Sequence, residues 1–193
     1  MQTAPADTVV LIPIRSFDDS KSRLAGALDT DARRRLTMAM AARVVAAARE
    51  LPVRVVTADA GVVEWAHAHG IGVLSIDEKG LDPSVTAAVA HAARVGFRRA
   101  IVAHADLPAA RDLSVVDLPG IGIAPDRARD GSNVLCVPTD AGFSFAYGPG
   151  SFLRHCDEAE RLGLPLTVIH DDALAWDVDD PDDLPDDWED WND

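Results

Sequence analysis

Short apolar runs rich in β-branched residues recur along the chain, and longer stretches of helical spacing separate the early ones. Thr8 to Ile14 (TVVLIPI) is the clearest run. Its unbroken hydrophobicity suits a strand buried on both faces, as strands of parallel sheets are. Further candidates are Val53–Thr57, Gly72–Ser75, Ala100–His104, Gly122–Ala124, Asn133–Val137 and Leu166–His170. Thr30 to Glu50 reads as a helix: Thr30 can cap it, Asp31 sits in its first turn, and Leu36, Met40, Val44 and Ala47 fall three and four apart. Gly61–His69 and Asp82–Val95 read as two more. Strands alternating with helices imply βαβ units, so the expected fold is α/β: a three-layer arrangement of a mixed, mainly parallel sheet with helices on both faces. Ligands of such sheets bind outside the carboxyl ends of the strands, and residues just after each strand are the ones to inspect.

At 193 residues, 48% of them hydrophobic, the chain suffices for one domain with a real core, and residues 1–193 are read as one unit with an acidic end at 186–193. No apolar run is long enough to cross a bilayer, and Met1–Asp7 lacks a secretory pattern, so a cytoplasmic protein without a membrane partner is expected. Cys136 and Cys156 lack metal-type spacing and read as isolated thiols. Of the 32 acidic residues, twelve fall in Asp171–Asp193, where Lys and Arg are absent. That leaves 20 acids against 18 bases before it. A nearly neutral body with an acidic end disfavours a nucleic-acid partner, which would need clustered cations. Trp188 and Trp191 in that end either dock or are solvated. Apolar helix faces serve a core and a homodimer equally well.

Four segments can carry chemistry. After the first strand, Arg15-Ser16-Phe17-Asp18-Asp19-Ser20-Lys21-Ser22-Arg23-Leu24 puts three cations before the long helix. This is a candidate triphosphate clamp, distinct from a Walker loop or a GxGxxG turn. His104-Ala105-Asp106-Leu107-Pro108 places Asp106 just past a strand. In Asp177-Val178-Asp179, extended alternation sends both carboxylates to one face and Val178 to the other. Together with Asp106 they would make an oxygen-only site for Mg²⁺. Asp180 before Pro181 reads as a cap. In Asp126–Leu135, Gly131 would let backbone N–H groups approach an anion and Ser132 could donate to it. Phe145–His155 reads as strand, glycine turn and helix start, where Ser151 is either an anion seat or an N-cap. His67, His69, His91 and His170 fit packing or surface roles.

In order, IPIRSFDDSKSRL, HADLP, DRARDGSNVL, FAYGPGSFLRH and DVDDPDDL resemble the guanylyltransferase family of coenzyme F-420 biosynthesis, whose members activate 2-phospho-L-lactate or phosphoenolpyruvate with GTP. The likeness spans nearly the whole chain. It implies a nucleotidyltransferase fold of the glycosyltransferase A type and a cytoplasmic, Mg²⁺-dependent enzyme. It assigns Asp106, Asp177 and Asp179 to the metal; Ser132, Gly148 and Ser151 to the phosphorylated acid; and Lys21 and Arg23 to GTP phosphates. Arg15 stands where Lys is commoner, and Ser132 where Thr is. The family's Leu-Asn before a helix is replaced by Gly80-Leu81-Asp82, which makes Asp82 the candidate reader of guanine N1 and N2. Phosphoenolpyruvate is the first expectation for the acceptor, from an Ala- and Arg-rich composition like that of a high-GC bacterium. 2-Phospho-L-lactate and 3-phosphoglycerate follow. A sugar-nucleotide-dependent glycosyltransferase and a non-catalytic nucleotide-binding module are the rival classes.

Overall fold

The computed structural model describes residues 7–18 and 21–191. Met1–Ala6, Asp19, Ser20, Asn192 and Asp193, all touched on above, lie outside the described residues. Seven strands, β1 (Thr8–Pro13), β2 (Val53–Thr57), β3 (Gly72–Ser75), β4 (Arg99–Ala103), β5 (Ile121–Pro125), β6 (Ser132–Pro138) and β7 (Leu166–Val168), form one sheet in the order β3-β2-β1-β4-β6-β5-β7. β6 is antiparallel to β4 and to β5, and the other pairings are parallel. The sheet is therefore open, mixed and mainly parallel. Its helices are α1 (Thr30–Ala47), α2 (Ala60–Ala68), α3 (Leu81–Arg94), α4 (Ser151–Arg161) and the short α5 (Asp172–Ala175).

The period of two in β1 sorts its side chains between two cores. Val10 and Ile12 join α1 and α2 through Val44, Ala47, Val62 and Trp65. Val9 and Leu11 join α3 and α4 through Val85, Val89, Phe152 and Ala159. Covering both faces is why the strand carries no polar alternation. A third, smaller cluster joins Leu24, Leu36, Met40 and Val178, with Trp188 and Trp191 packed against it. The acidic end thus docks its indoles, and the Arg43 guanidinium lies 3.8 Å above the Trp191 ring.

Some boundaries differ from expectation. Asp29, not Thr30, caps α1, its carboxylate accepting the Ala32 N–H at 2.7 Å. The helix ends at Ala47, with Arg49 in the left-handed region at φ 56°. β7 stops at Val168, before His170. Asp180 precedes a 3-10 turn at Pro181–Asp183, where the Asp183 carboxylate accepts the Asp179 and Asp180 N–H groups.

Candidate active site at the carboxyl edge of the sheet

A cleft of about 1090 Å³ opens beyond the parallel strands. Arg15 and Ser16 line it after β1, Thr57 at the end of β2 with Ala58 and Asp59 beyond it, Ile76 to Gly80 after β3, and His104 to Asp106 after β4. Lys21, Arg23 and Asp179 also face it. This is where an open α/β sheet places its ligand, because the strand ends release their loops there.

Lys21 anchors the loop after β1. Its backbone is left-handed at φ 55°, unusual for a residue with a side chain, and it opens the 3-10 turn Ser22–Gly26. Leu24, in that turn, is fully buried in the third cluster. With the backbone held this way, Lys21 Nζ lies 2.5 Å from Asp106 Oδ2 and 3.0 Å from Asp179 Oδ1. Arg23 is exposed and stands 3.7 Å from Asp179.

The two acidic segments meet through backbone: the Val178 N–H donates to the Asp106 carbonyl at 3.2 Å. Val178 points into the third core cluster with none of its surface exposed, which leaves Asp177 and Asp179 on the opposite side. The Asp177 carboxylate accepts from Asn133 Nδ2 at 3.3 Å, and the same amide donates to the Leu174 carbonyl. Burial, and then the charges of Asp106 and Asp179, hold the Asp177 carboxyl above its ordinary range. At Asp106 burial pushes upward too, but the adjacent Lys21 ammonium wins and the carboxyl titrates low. Lys21 is raised for the reciprocal reason, its two carboxylates outweighing burial.

Among the described residues no three His, Cys, Asp or Glu side chains stand grouped as a ready metal cage. Lys21 lies between Asp106 and Asp179, in the place a cation would take. The donor set nevertheless fits a hard divalent ion. Asp106 Oδ1 is buried without a hydrogen-bond partner, and the Asp177 carboxylate is disfavoured by burial and then by neighbouring like charge. Both features call for more positive charge than one ammonium supplies.

The other expected residues fall elsewhere. Ser132, Gly148, Ser151 and Asp82 do not line the cleft, and neither does Asp177, which stands behind Asp106 and Asp179. Ser132 is buried, and its Oγ lies 2.9 Å from His155 Nδ1. The Ala146 N–H donates to His155 Nε2 at 3.0 Å, so the ring is neutral, with Nδ1–H directed to Ser132. Ser151 is buried at the first turn of α4, after Gly148 and Gly150, both at positive φ. The Asp82 carboxylate accepts the Tyr147 N–H at 2.8 Å. It braces the glycine turn instead of reading a base from the cleft. The anion met by the Gly131 N–H is the chain's own Asp126 carboxylate, at 2.7 Å. Sequence reasoning gave no role to Arg154, whose guanidinium donates to the carbonyls of Ala146, Tyr147 and Pro149 and ties the glycine turn to α4. Its placement four residues after Gly150 was the available signal.

His155 yields a pH prediction. Burial lowers its pKa from 6.5 to about 4. The unfolded chain therefore binds more protons between those values, and stability present above pH 6.5 is lost as pH falls toward 4. The expected loss reaches about 3 kcal/mol. Urea unfolding of His155→Gln across this range should show a flatter profile than the parent chain.

The comparisons with known proteins agree with this architecture. The family model described as guanylyl transferase CofC like matches residues 8–187. The chain is 36% identical over 187 residues to the phosphoenolpyruvate guanylyltransferase of Roseiflexus castenholzii, covering 92% of this chain and 86% of that protein. It is 34% identical to the protein of the same name from Sphaerobacter thermophilus, covering 92% and 90%. Among solved structures, one described as a nucleotide-diphospho-sugar transferase from Desulfovibrio desulfuricans G20 superposes with a TM-score of 0.72 at 17% identity, covering 91% of this chain and 83% of the other. That likeness speaks for the fold alone, which is of the nucleotidyltransferase kind. The chain is a nucleotidyltransferase and belongs to the guanylyl transferase CofC-like family.

Proposed function

We propose that the chain transfers GMP from GTP to a phosphorylated carboxylic acid, phosphoenolpyruvate first among them, with release of pyrophosphate, in the cytoplasmic synthesis of coenzyme F-420. The observation that carries this reading is the meeting of Lys21, Asp106 and Asp179 at the rim of a cleft large enough for a nucleotide, with Asp177 close enough to feel the charges of both carboxylates. The relatives' shared name supports GTP and phosphoenolpyruvate as the pair.

Lys21, Arg23 and Arg15 bind and orient the triphosphate, the first as a compact charge and the others as forked donors. Asp106, Asp177 and Asp179 would hold Mg²⁺, which when bound polarises phosphoryl oxygens and offsets their charge. An oxygen of the acceptor's phosphate bonds to the α-phosphorus of GTP, and the bond from that phosphorus to the bridging oxygen breaks. The electron pair leaves with pyrophosphate. The attacking phosphate is largely dianionic near neutral pH, since its second pKa is about 6, so no side chain has to remove a proton. The protein's contribution is position and charge.

A coupled pyrophosphate assay with GTP against phosphoenolpyruvate, 2-phospho-L-lactate and 3-phosphoglycerate, with and without added Mg²⁺, tests this directly. Release is expected with one acid, and only with metal. Nucleotide binding without release for any acid would leave a binding module in place of an enzyme.

A further inference from the structure

Beneath the carboxyl-terminal half of α3 the core layer is left unfilled. Val55 of β2 belongs to the core shared with α1 and α2, and Val56 to the one shared with α3. Alternation therefore turns Arg54, like Val56, toward α3, at a position where a core layer would take an apolar side chain. The register partner of Arg54 on the edge strand β3 is Gly72, and a Cβ there would stand 2.7 Å from Arg54 Nη1. The glycine leaves room for the arginine stem to lie across β3. On the other wall α3 presents two small side chains, Ala88 and Ala92, one turn apart. The result is a pocket of about 260 Å³, walled by Val9 and Leu11 of β1, Leu74 of β3 and those two alanines. No described residue lines both this pocket and the catalytic cleft, which opens at the opposite edge of the sheet.

Arg54 and His91 supply the polar groups of the pocket, and no Asp or Glu is among its described lining residues. An arginine whose stem covers apolar surface usually carries its head into water or onto a carboxylate. Here Nη1 donates to the Val53 carbonyl at 2.8 Å, and among the described residues the guanidinium forms no ion pair. Val95, in the lining, is 57% exposed, so the apolar surface runs from the pocket out to solvent. Apolar walls favour an apolar body over water, and a forked cation with donors to spare favours a carboxylate at one end of it. The volume is too small for a nucleotide and suits one ring or one branched chain.

We infer that this pocket is a second ligand site, taking a small monocarboxylate whose apolar body sits between β1 and α3 and whose carboxylate pairs with Arg54. Charge complementarity sets the class: an amine of the same shape meets a guanidinium of like charge, and a neutral alcohol leaves the fork half used. The site is independent of the reaction proposed above and lies behind the wall of the cleft, since α3 carries Leu81 and Ser84 on the catalytic side and Ala88 and Ala92 here.

3-Phenylpropionate is a suitable probe, with 3-phenylpropanol as its uncharged counterpart. Titrated into methyl-labelled protein, the acid should shift the methyl signals of Leu74, Ala88 and Ala92. The alcohol should bind about 10-fold or more weaker, the loss expected when a hydrogen-bonded charge is removed. Arg54→Gln changes an exposed residue and should lower the acid to the affinity of the alcohol, with the alcohol itself unaffected. Ala92→Leu should shut out both compounds. Saturating GTP with Mg²⁺ should leave the acid bound. Absence of binding, equal affinity for acid and alcohol, an Arg54→Gln chain that holds the acid as tightly as the parent, or displacement of the acid by GTP each overturns the inference.

Discussion

Asp106→Asn should lower turnover by about 10³-fold or more while leaving the sheet intact. Losses of this size follow when one preorganised electrostatic group is taken from a phosphoryl-transfer site. The amide keeps the shape of the carboxylate and can still accept from Lys21 through its oxygen. What disappears is the charge that Lys21 Nζ meets at 2.5 Å and that the unpaired Oδ1 would offer to a metal. The variant should also lose metal dependence, because two acidic side chains remain where three stood. Pyrophosphate release titrated with Mg²⁺, beside circular dichroism and thermal unfolding, measures both effects. A folded variant with normal turnover and normal metal response would refute the assignment of Asp106.

Val178→Asp is expected to be the most damaging single change for stability in this part of the molecule. Val178 is wholly buried among Leu24, Leu36 and Met40, and its two chain neighbours are already acidic. A third carboxylate there has no cation within the cluster, and an uncompensated buried charge costs about 3–5 kcal/mol. The side chain can escape only by turning this segment over, which would bury Asp177 and Asp179 instead. Either outcome breaks the site. Guanidinium unfolding should show a midpoint shift of that size, and activity should vanish. Val178→Leu tests whether packing alone is at stake and should retain most turnover. Full stability in Val178→Asp would mean that this segment is not anchored as described.

Much of the frame is legible in the order of the residues. β2 and β3 begin and end where their apolar runs do, because short β-branched runs flanked by turn residues leave little choice of register. The split of Asp177-Val178-Asp179 between solvent and core follows from a period of two, and a buried Val178 obeys it. The cap of α1 could not be settled this way, since Asp29 and Thr30 are both good capping residues and only the tertiary path picks one. The partners of Asp82 and Ser132 were out of reach for a different reason. Tyr147 lies 65 residues from Asp82, and His155 lies 23 from Ser132; no local rule relates them. For the same reason Gly131 looked ready for an external anion although Asp126 already supplies one. The left-handed backbone of Lys21 was likewise invisible, because a lysine carries no signature of that conformation.

The third cluster ties together parts of the chain that otherwise share no layer of the fold. Leu24 belongs to the turn that sets Lys21 and Arg23, and Val178 sits between two of the acidic residues. Trp188 and Trp191 pack against the same cluster from the far end of the sequence. The cluster therefore works as a keystone, and it is also the smallest of the three hydrophobic assemblies. Segments with fewer apolar contacts open at lower free energy than the main core. Warming the protein should accordingly slacken this corner first, so that catalytic competence fades while the seven-stranded platform beneath it still stands.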